Sequence, residues 1–184
     1  AANGDGARTS GLEIELDGRI NENWQYRFGY AFVEAELTDA ILAPTAAATL
    51  LALDGAYLPG TPKHTLNAAL THHQELGNGL LWSNRIDAYR QSETRNAINA
   101  DLTSPGRFNV ELDSFALLNY VTTLSRDSWE ASLFVRNLTN EEGVTGLFTE
   151  SYMGTDPSQN YFGNGNKQFL ALPRTVGISV SWNF

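Results

Sequence analysis

The chain has 184 residues, no cysteine, and 12 Lys+Arg against 21 Asp+Glu, a formal charge of −9. An acidic chain without a basic patch argues against a nucleic-acid partner, and the missing cysteines exclude disulfides, thiolate metal sites and a cysteine nucleophile. No apolar run approaches the ~20 residues of a transmembrane helix, and the richest, residues 41–53, is broken by Pro44.

The dominant period is two, the signature of strands. Residues 11–20 set Leu12, Ile14, Leu16 and Ile20 against Glu13, Glu15, Asp17 and Arg19. After a tight turn at 21–23, residues 24–37 carry Trp24, Tyr26, Phe28, Tyr30 and Phe32 on one face and Gln25, Arg27, Gly29 and Ala31 on the other. A long connection, 38–61, leads to residues 65–73, with Leu66, Ala68 and Leu70 against Asn67, Ala69 and Thr71. A short Gly-rich connection, 74–79, leads to residues 80–91. There Trp82, Ile86 and Ala88 oppose Ser83, Arg85, Asp87 and Tyr89, with Asn84 out of pattern.

A second long connection, 94–107, precedes residues 114–125, where Leu118, Tyr120 and Leu124 oppose Asn119 and Thr123. A tight turn at 126–128 leads to residues 129–138, with Ala131, Leu133 and Val135 against Glu130, Ser132 and Arg136. The third long connection, 141–167, is rich in Gly, Asn and Thr. Residues 175–184 end the chain with Val176, Ile178, Val180, Trp182 and Phe184 on one face and Thr175, Gly177, Ser179, Ser181 and Asn183 on the other.

About seven strands are therefore expected, most near the ~10 residues with which a tilted strand crosses a bilayer. A mean hydropathy of −0.28 does not argue against this, because alternation keeps the average of a membrane barrel ordinary. Short turns at one end and long loops at the other are also the habit of such barrels.

The aromatic stripe from Trp24 to Phe32 fits either the inner face of a soluble β-sandwich or a lipid-facing wall with Trp and Tyr at its boundaries. The opposite face, with Glu13, Glu15, Asp17, Arg19, Arg85, Asp87, Glu130 and Arg136, fits a wet lumen or bulk solvent equally well. Loop asymmetry and the chain's ending favour the membrane. Trp24, Tyr26, Phe28, Tyr30, Phe32, Val176 and Ile178 are then expected to face lipid. Gly177, Val180, Trp182 and Phe184 resemble the terminal signal read by the barrel-assembly machinery, although Val180 stands where that signal favours an aromatic. The physical basis is β-augmentation from an unpaired edge.

Several segments together resemble the end of a TonB-dependent receptor. They are Gly11-Leu12-Glu13-Ile14-Glu15-Leu16 with Asn23-Trp24, Gly29-Tyr30-Ala31-Phe32 and Glu34-Ala35-Glu36-Leu37-Thr38-Asp39; Leu58-Pro59-Gly60-Thr61-Pro62-Lys63-His64-Thr65-Leu66-Asn67; Ser114-Phe115-Ala116-Leu117-Leu118-Asn119 with the run from Trp129 through Asn137-Leu138-Thr139-Asn140; and Leu172-Pro173-Arg174-Thr175-Val176-Gly177 onward. Each is loose alone; their order and spacing are more specific. The resemblance implies an all-β fold, a transmembrane antiparallel up-and-down β-barrel. Residues 1–184 would supply about seven C-terminal strands of a 22-stranded plugged barrel, beginning inside an extracellular loop and lacking the plug domain and energy-coupling box. Ala1–Ser10 has no apolar core of a secretory signal, which fits a mature chain or a piece of a longer one.

The resemblance implies a receptor for active uptake across the outer membrane of a Gram-negative bacterium. Its partners would be outer-membrane lipid, the barrel-assembly machinery, the TonB complex through a missing N-terminal region, and a small ligand: a ferric siderophore first, then cobalamin or a glycan. Tyr57, Tyr152, Tyr161 and Phe162, in the long loops, are the candidate ligand contacts. No enzyme, cofactor or metal site is expected. His72 and His73 are adjacent, so on a strand they point to opposite faces. Gly163-Asn164-Gly165-Asn166 lacks the Lys-Ser/Thr of a phosphate loop. Asn137-Leu138-Thr139 fits a glycosylation sequon but is read as the family's strand-end motif. Glu93, Asp101, Glu141, Glu142 and Asp156 are read as solvated loop charge. The rival readings are a complete eight-stranded pore or structural barrel, with its extra strand within 42–53 or 147–152, and a soluble β-sandwich binding module.

Overall fold

Alternating sequence becomes extended strand almost without interruption. In a computed structural model, which describes residues 6–42, 50–98, 110–149 and 166–183, the strands in chain order are β1 (Ala7–Arg19), β2 (Trp24–Leu37), β3 (Ile41–Leu42), β4 (Leu50–Ala52), β5 (His64–Gly77), β6 (Leu80–Gln91), β7 (Thr94–Arg95), β8 (Glu111–Leu112), β9 (Phe115–Arg126), β10 (Trp129–Arg136), β11 (Val144–Thr149), β12 (Asn166–Leu170) and β13 (Thr175–Trp182). Seven of them form one antiparallel sheet, in the order β1-β2-β5-β6-β9-β10-β13. The remaining six pair as three two-stranded ladders, β3-β4, β7-β8 and β11-β12.

The seven expected strands are the seven of this sheet. The long connections are not plain loops, since each carries one of the two-stranded ladders. The reading that hides an eighth sheet strand in 42–53 or 147–152 is corrected for the described residues: Leu50–Ala52 pairs with Ile41–Leu42, and Val144–Thr149 pairs with Asn166–Leu170, while 43–49 and 150–152 lie outside the described residues. Among the described residues no second sheet covers either face of the large one. Val176 and Ile178 stay 64% and 76% exposed, so the sandwich reading finds no partner layer.

The short-turn end is built by local chemistry. Asn21 Oδ1 accepts from the backbone N–H groups of Asn23 (2.9 Å) and Trp24 (3.0 Å), an Asx turn. Asn23 Nδ2 then donates to the carbonyl of His73 at 2.7 Å, tying this turn to β5. Between β5 and β6 the expected six-residue connection contracts to Asn78-Gly79, with φ of 52° and 72°. Positive φ at both central residues is what a type I′ hairpin turn requires, and Asn-Gly adopts it most readily. Strand β5 therefore runs further toward the turn than its alternation indicates.

Burial concentrates at the other end. Among the described residues Ala35, Leu37, Ala52, Thr94, Leu112, Phe115, Asn137 and Gly143 are buried, and all lie in or beside the long connections. The segment after β4 returns along the upper part of β2, where Leu58 N–H donates to Ala35 O and Val33 N–H to Lys63 O, both at 2.9 Å. A single-layer sheet has no interior, so only where loops fold back can side chains leave solvent on all sides.

Candidate functional site

Register sorts the sheet into two faces. Trp24, His72 and Asn84 stand side by side on β2, β5 and β6, and Thr122, Leu133 and Ile178 continue the row. Tyr26, Leu70, Ile86, Tyr120, Val135 and Val176 form the next. The stripe Trp24, Tyr26, Phe28, Tyr30 and Phe32 thus shares one face with Val176, Ile178, Val180 and Trp182. Gly177 points the other way. Phe184 lies outside the described residues.

All four tryptophans fall on this apolar face at the short-turn end. Trp82 pairs with Leu124, which pairs with Ala131, and Trp129 pairs with Trp182. From Trp24 to Trp82 to Trp129 the position moves two residues nearer the turns for every two strands crossed. At ~3.4 Å per residue and ~4.8 Å per strand, that line slopes by about 35° from the perpendicular to the strands, within the tilt of closed barrels.

Several polar groups on the apolar face satisfy one another. Asn84, the residue out of pattern, accepts from Tyr120 Oη at 2.7 Å. Trp82 Nε1 donates to Thr122 Oγ1 at 2.8 Å. His72 lies between Trp24 and Trp82, with ring centroids 4.6 and 6.2 Å away. Tyr30 Oη and His64 Nδ1 are 2.8 Å apart. His72 is thus an aromatic packing residue, and His64 is hydrogen-bonded where β5 begins.

The opposite face is charged and hollowed. A cavity of about 670 Å³ is lined by Glu15, Asp17, Arg27, Asn67, Arg85 and Asp87 among others. Asp17 faces Arg27 across β1-β2, and Arg85 grips Asp87 through Nε (3.0 Å) and Nη2 (2.6 Å). Carboxylates and guanidinium groups interleaved on a wide wall suit contact with water and polar solute. Among the described residues no group of His, Asp and Glu is arranged to hold a metal ion.

At the loop end a smaller cavity of about 190 Å³ is lined by Tyr57, Lys63, Glu93, Arg95 and Glu111 among others. Lys63 Nζ donates to Tyr57 Oη at 2.6 Å, sits 4.1 Å from the Tyr57 ring centroid and lies 3.6 Å from Glu34. The Tyr57 hydrogen bond is the main cause holding the Lys63 pKa above its ordinary value. Arg95 meets Glu111 at 3.0 Å. Tyr57 is the one proposed ligand contact among the described residues; Tyr152, Tyr161 and Phe162 lie outside them, as do Asp101 and Asp156.

The strand-end motif proves to be a hub. Asn137, 4% exposed with φ of 50°, donates through Nδ2 to the carbonyls of Glu141 and Leu172, and its Oδ1 accepts from Glu141 N–H, all at 2.9 Å. Its own N–H donates to Asn119 Oδ1. Both carboxamide atoms are engaged, so the sequon offers no free amide. Sequence reading also passed over Phe134, whose ring occupies the place a side chain on Gly177 would take. Only strand register brings the two together.

Compared with known proteins, residues 1–138 match the family model described as TonB dependent receptor-like, beta-barrel. The ferric yersiniabactin uptake receptor FyuA from Yersinia pestis aligns at a TM-score of 0.71 and 15% identity, over 97% of this chain and 24% of that one. The siderophore receptor PiuA from Acinetobacter baumannii gives 0.66 and 15%, over 96% and 22%. The ferric-catecholate import receptor Fiu from K12 E. coli gives 0.63 and 17%, over 97% and 21%. The chain thus spans under a quarter of the length of these receptors, and at such identities the likeness is one of fold.

Proposed function

The chain belongs to the TonB-dependent receptor β-barrel family, a family of receptors rather than enzymes, and on that premise we propose that it forms part of the wall and outer loops of an outer-membrane receptor for active nutrient uptake. The observation that carries this reading is the two-faced sheet: one face apolar with tryptophan at the short-turn end, the other charged. The apolar face meets outer-membrane lipid and the charged face lines the lumen around a plug. Residues 1–184 are barrel alone, with the plug and the TonB-contacting segment in a preceding part of the parent protein. Strand β13, with Gly177, Val180 and Trp182, is the edge offered to the assembly machinery, and Phe184 follows it in the sequence as the last residue of that signal.

Transport here is binding and gated passage. Ligand docks at the loop end, where Tyr57 and Lys63 stand, and passes the charged wall when the energised TonB complex moves the plug. A ferric siderophore is the favoured ligand class, since the three similar structures are siderophore or ferric-siderophore receptors by name. The test is uptake of radiolabelled iron from a siderophore panel by cells carrying or lacking the full-length parent, with and without the proton gradient. Energy-dependent uptake of one siderophore, lost on deletion, is expected. Unchanged iron uptake, with cobalamin or glycan uptake lost instead, would reassign the ligand.

A further inference from the structure

On β6 the apolar face carries one charged side chain between the tryptophan line and the long loop, Arg90, and on β1 and β2 charge on this face begins only further toward the loops, at Arg8, Glu34 and Glu36. Arg90 stands eight residues beyond Trp82 on the same face, as Phe32 stands eight beyond Trp24. At ~3.4 Å per residue and a slope of about 35°, that is about 22 Å above the tryptophan line, close to the ~25 Å height of a barrel's apolar band. A guanidinium in mid-band would be costly; at the boundary it costs little. Arg126, on the same face of β9, sits beside Trp129 at the opposite boundary.

Arg90 is exposed and, among the described residues, has no hydrogen-bond or ion-pair partner. It lines a cavity of about 430 Å³ with Tyr30, His64, Ser92, Ser114 and Glu93. Three hydroxyls and an imidazole thus gather beside an unpaired guanidinium at the edge of the apolar face. Glu93 is the one carboxylate in the lining and makes no ion pair with Arg90. Arginine has the planar donor fork that matches a phosphate; Tyr30 Oη and His64 Nδ1 are joined to each other and Ser92 Oγ donates to the Glu93 carbonyl, so the Ser114 hydroxyl is the further donor the groove offers.

We propose that this groove is a headgroup site for a phosphate-bearing lipid of the membrane leaflet on the long-loop side, with Arg90 as the phosphate ligand. The inference rests on the membrane reading above, but concerns the outer surface of the wall and not the transport path. A soluble anion is disfavoured as occupant because the groove continues onto Leu66, which suits the start of an acyl chain.

The test uses the purified full-length receptor in detergent and native mass spectrometry. Phosphatidic acid and diacylglycerol of identical chains differ only in the phosphate. The unmodified receptor should retain the first at least about tenfold better, the equivalent of one strong charge-assisted contact. Arg90→Leu should abolish the preference and Arg90→Lys should keep part of it, while Lys167→Leu, in a loop ladder, should change nothing. Equal retention of both lipids by the unmodified receptor overturns the proposal without recourse to any variant, as does an undiminished preference in Arg90→Leu. Displacement of lipid by inorganic phosphate at comparable concentration would mean a free-anion site and also overturns it. Siderophore uptake is scored separately, so lost lipid preference with intact uptake sinks this proposal alone, and the reverse sinks only the transport reading.

Discussion

The ring of Phe134 lies over Gly177 on the neighbouring strand, so close that a β-carbon on the glycine would collide with the ring. Arg136 in turn places its guanidinium 5.1 Å from the Phe134 ring centroid. A glycine covered by a cross-strand aromatic keeps a strand packed where a side chain is missing. The residue read as part of a terminal signal is therefore also a packing requirement of the finished sheet.

Gly177→Val should destabilise the full-length barrel by roughly 1–3 kcal/mol, the usual cost of overpacking. Phe134→Ala should relieve most of the penalty of the valine, because the colliding ring is gone. Urea unfolding in detergent or lipid, read on the double-mutant cycle, checks this. Additive effects of the two changes would mean that the ring and the glycine do not interact.

Asn137→Ala should cost about 1–3 kcal/mol by removing three part-buried hydrogen bonds to the backbone of Glu141 and Leu172. The damage should be local. Limited proteolysis of the full-length receptor should show faster cleavage within 138–143 and 171–174, with the cuts at the short turns unchanged. Asn137→Asp should be nearly as harmful, since a carboxylate cannot donate to two carbonyls.

Sidedness follows from the alternation of strands. With the last strand running inward, the ladders β3-β4, β7-β8 and β11-β12 lie outside the cell and the short turns in the periplasm. The chain has no cysteine, so single cysteines report without background. On intact cells, cysteines at Asp54, Asp113 and Glu142 should react with an impermeant maleimide. Cysteines at Glu22 and Ser128 should react only after the outer membrane is permeabilised. An inverted pattern would reverse the orientation, and equal labelling would argue against a membrane barrel.

At the loop end, Tyr57→Ala should weaken ligand affinity roughly tenfold in the full-length receptor, as loss of an aromatic anchor does. Tyr57→Phe should have a smaller effect, because the ring under Lys63 stays and only the hydroxyl is removed. Competitive binding of labelled siderophore to whole cells, normalised to surface abundance, separates these outcomes. Unaltered affinity in Tyr57→Ala would remove Tyr57 from the ligand site.

What the sequence alone determined is the seven strands of the large sheet and its two-faced character; the short ladders in the long connections escaped it. Each side chain on a single-layer wall meets one of two environments, and that choice is written locally with period two. The turn ends were legible for the same reason: Asn78-Gly79 and the Asn21 side chain dictate backbone geometry from within a few residues. Tertiary structure alone decided which residues meet across strands. Asn84 looked like a break in the pattern until register set Tyr120 beside it, and His72 became a packing residue only between Trp24 and Trp82. The pairings of Phe134 with Gly177 and of Asn137 with Leu172 span 43 and 35 residues, and the grouping of Arg90 with Tyr30 and Ser114 spans more than one hairpin. Such meetings depend on strand order and stagger, which arise from the summed hydrogen bonding of the whole sheet and from how the loops close, and no local pattern in the chain encodes them.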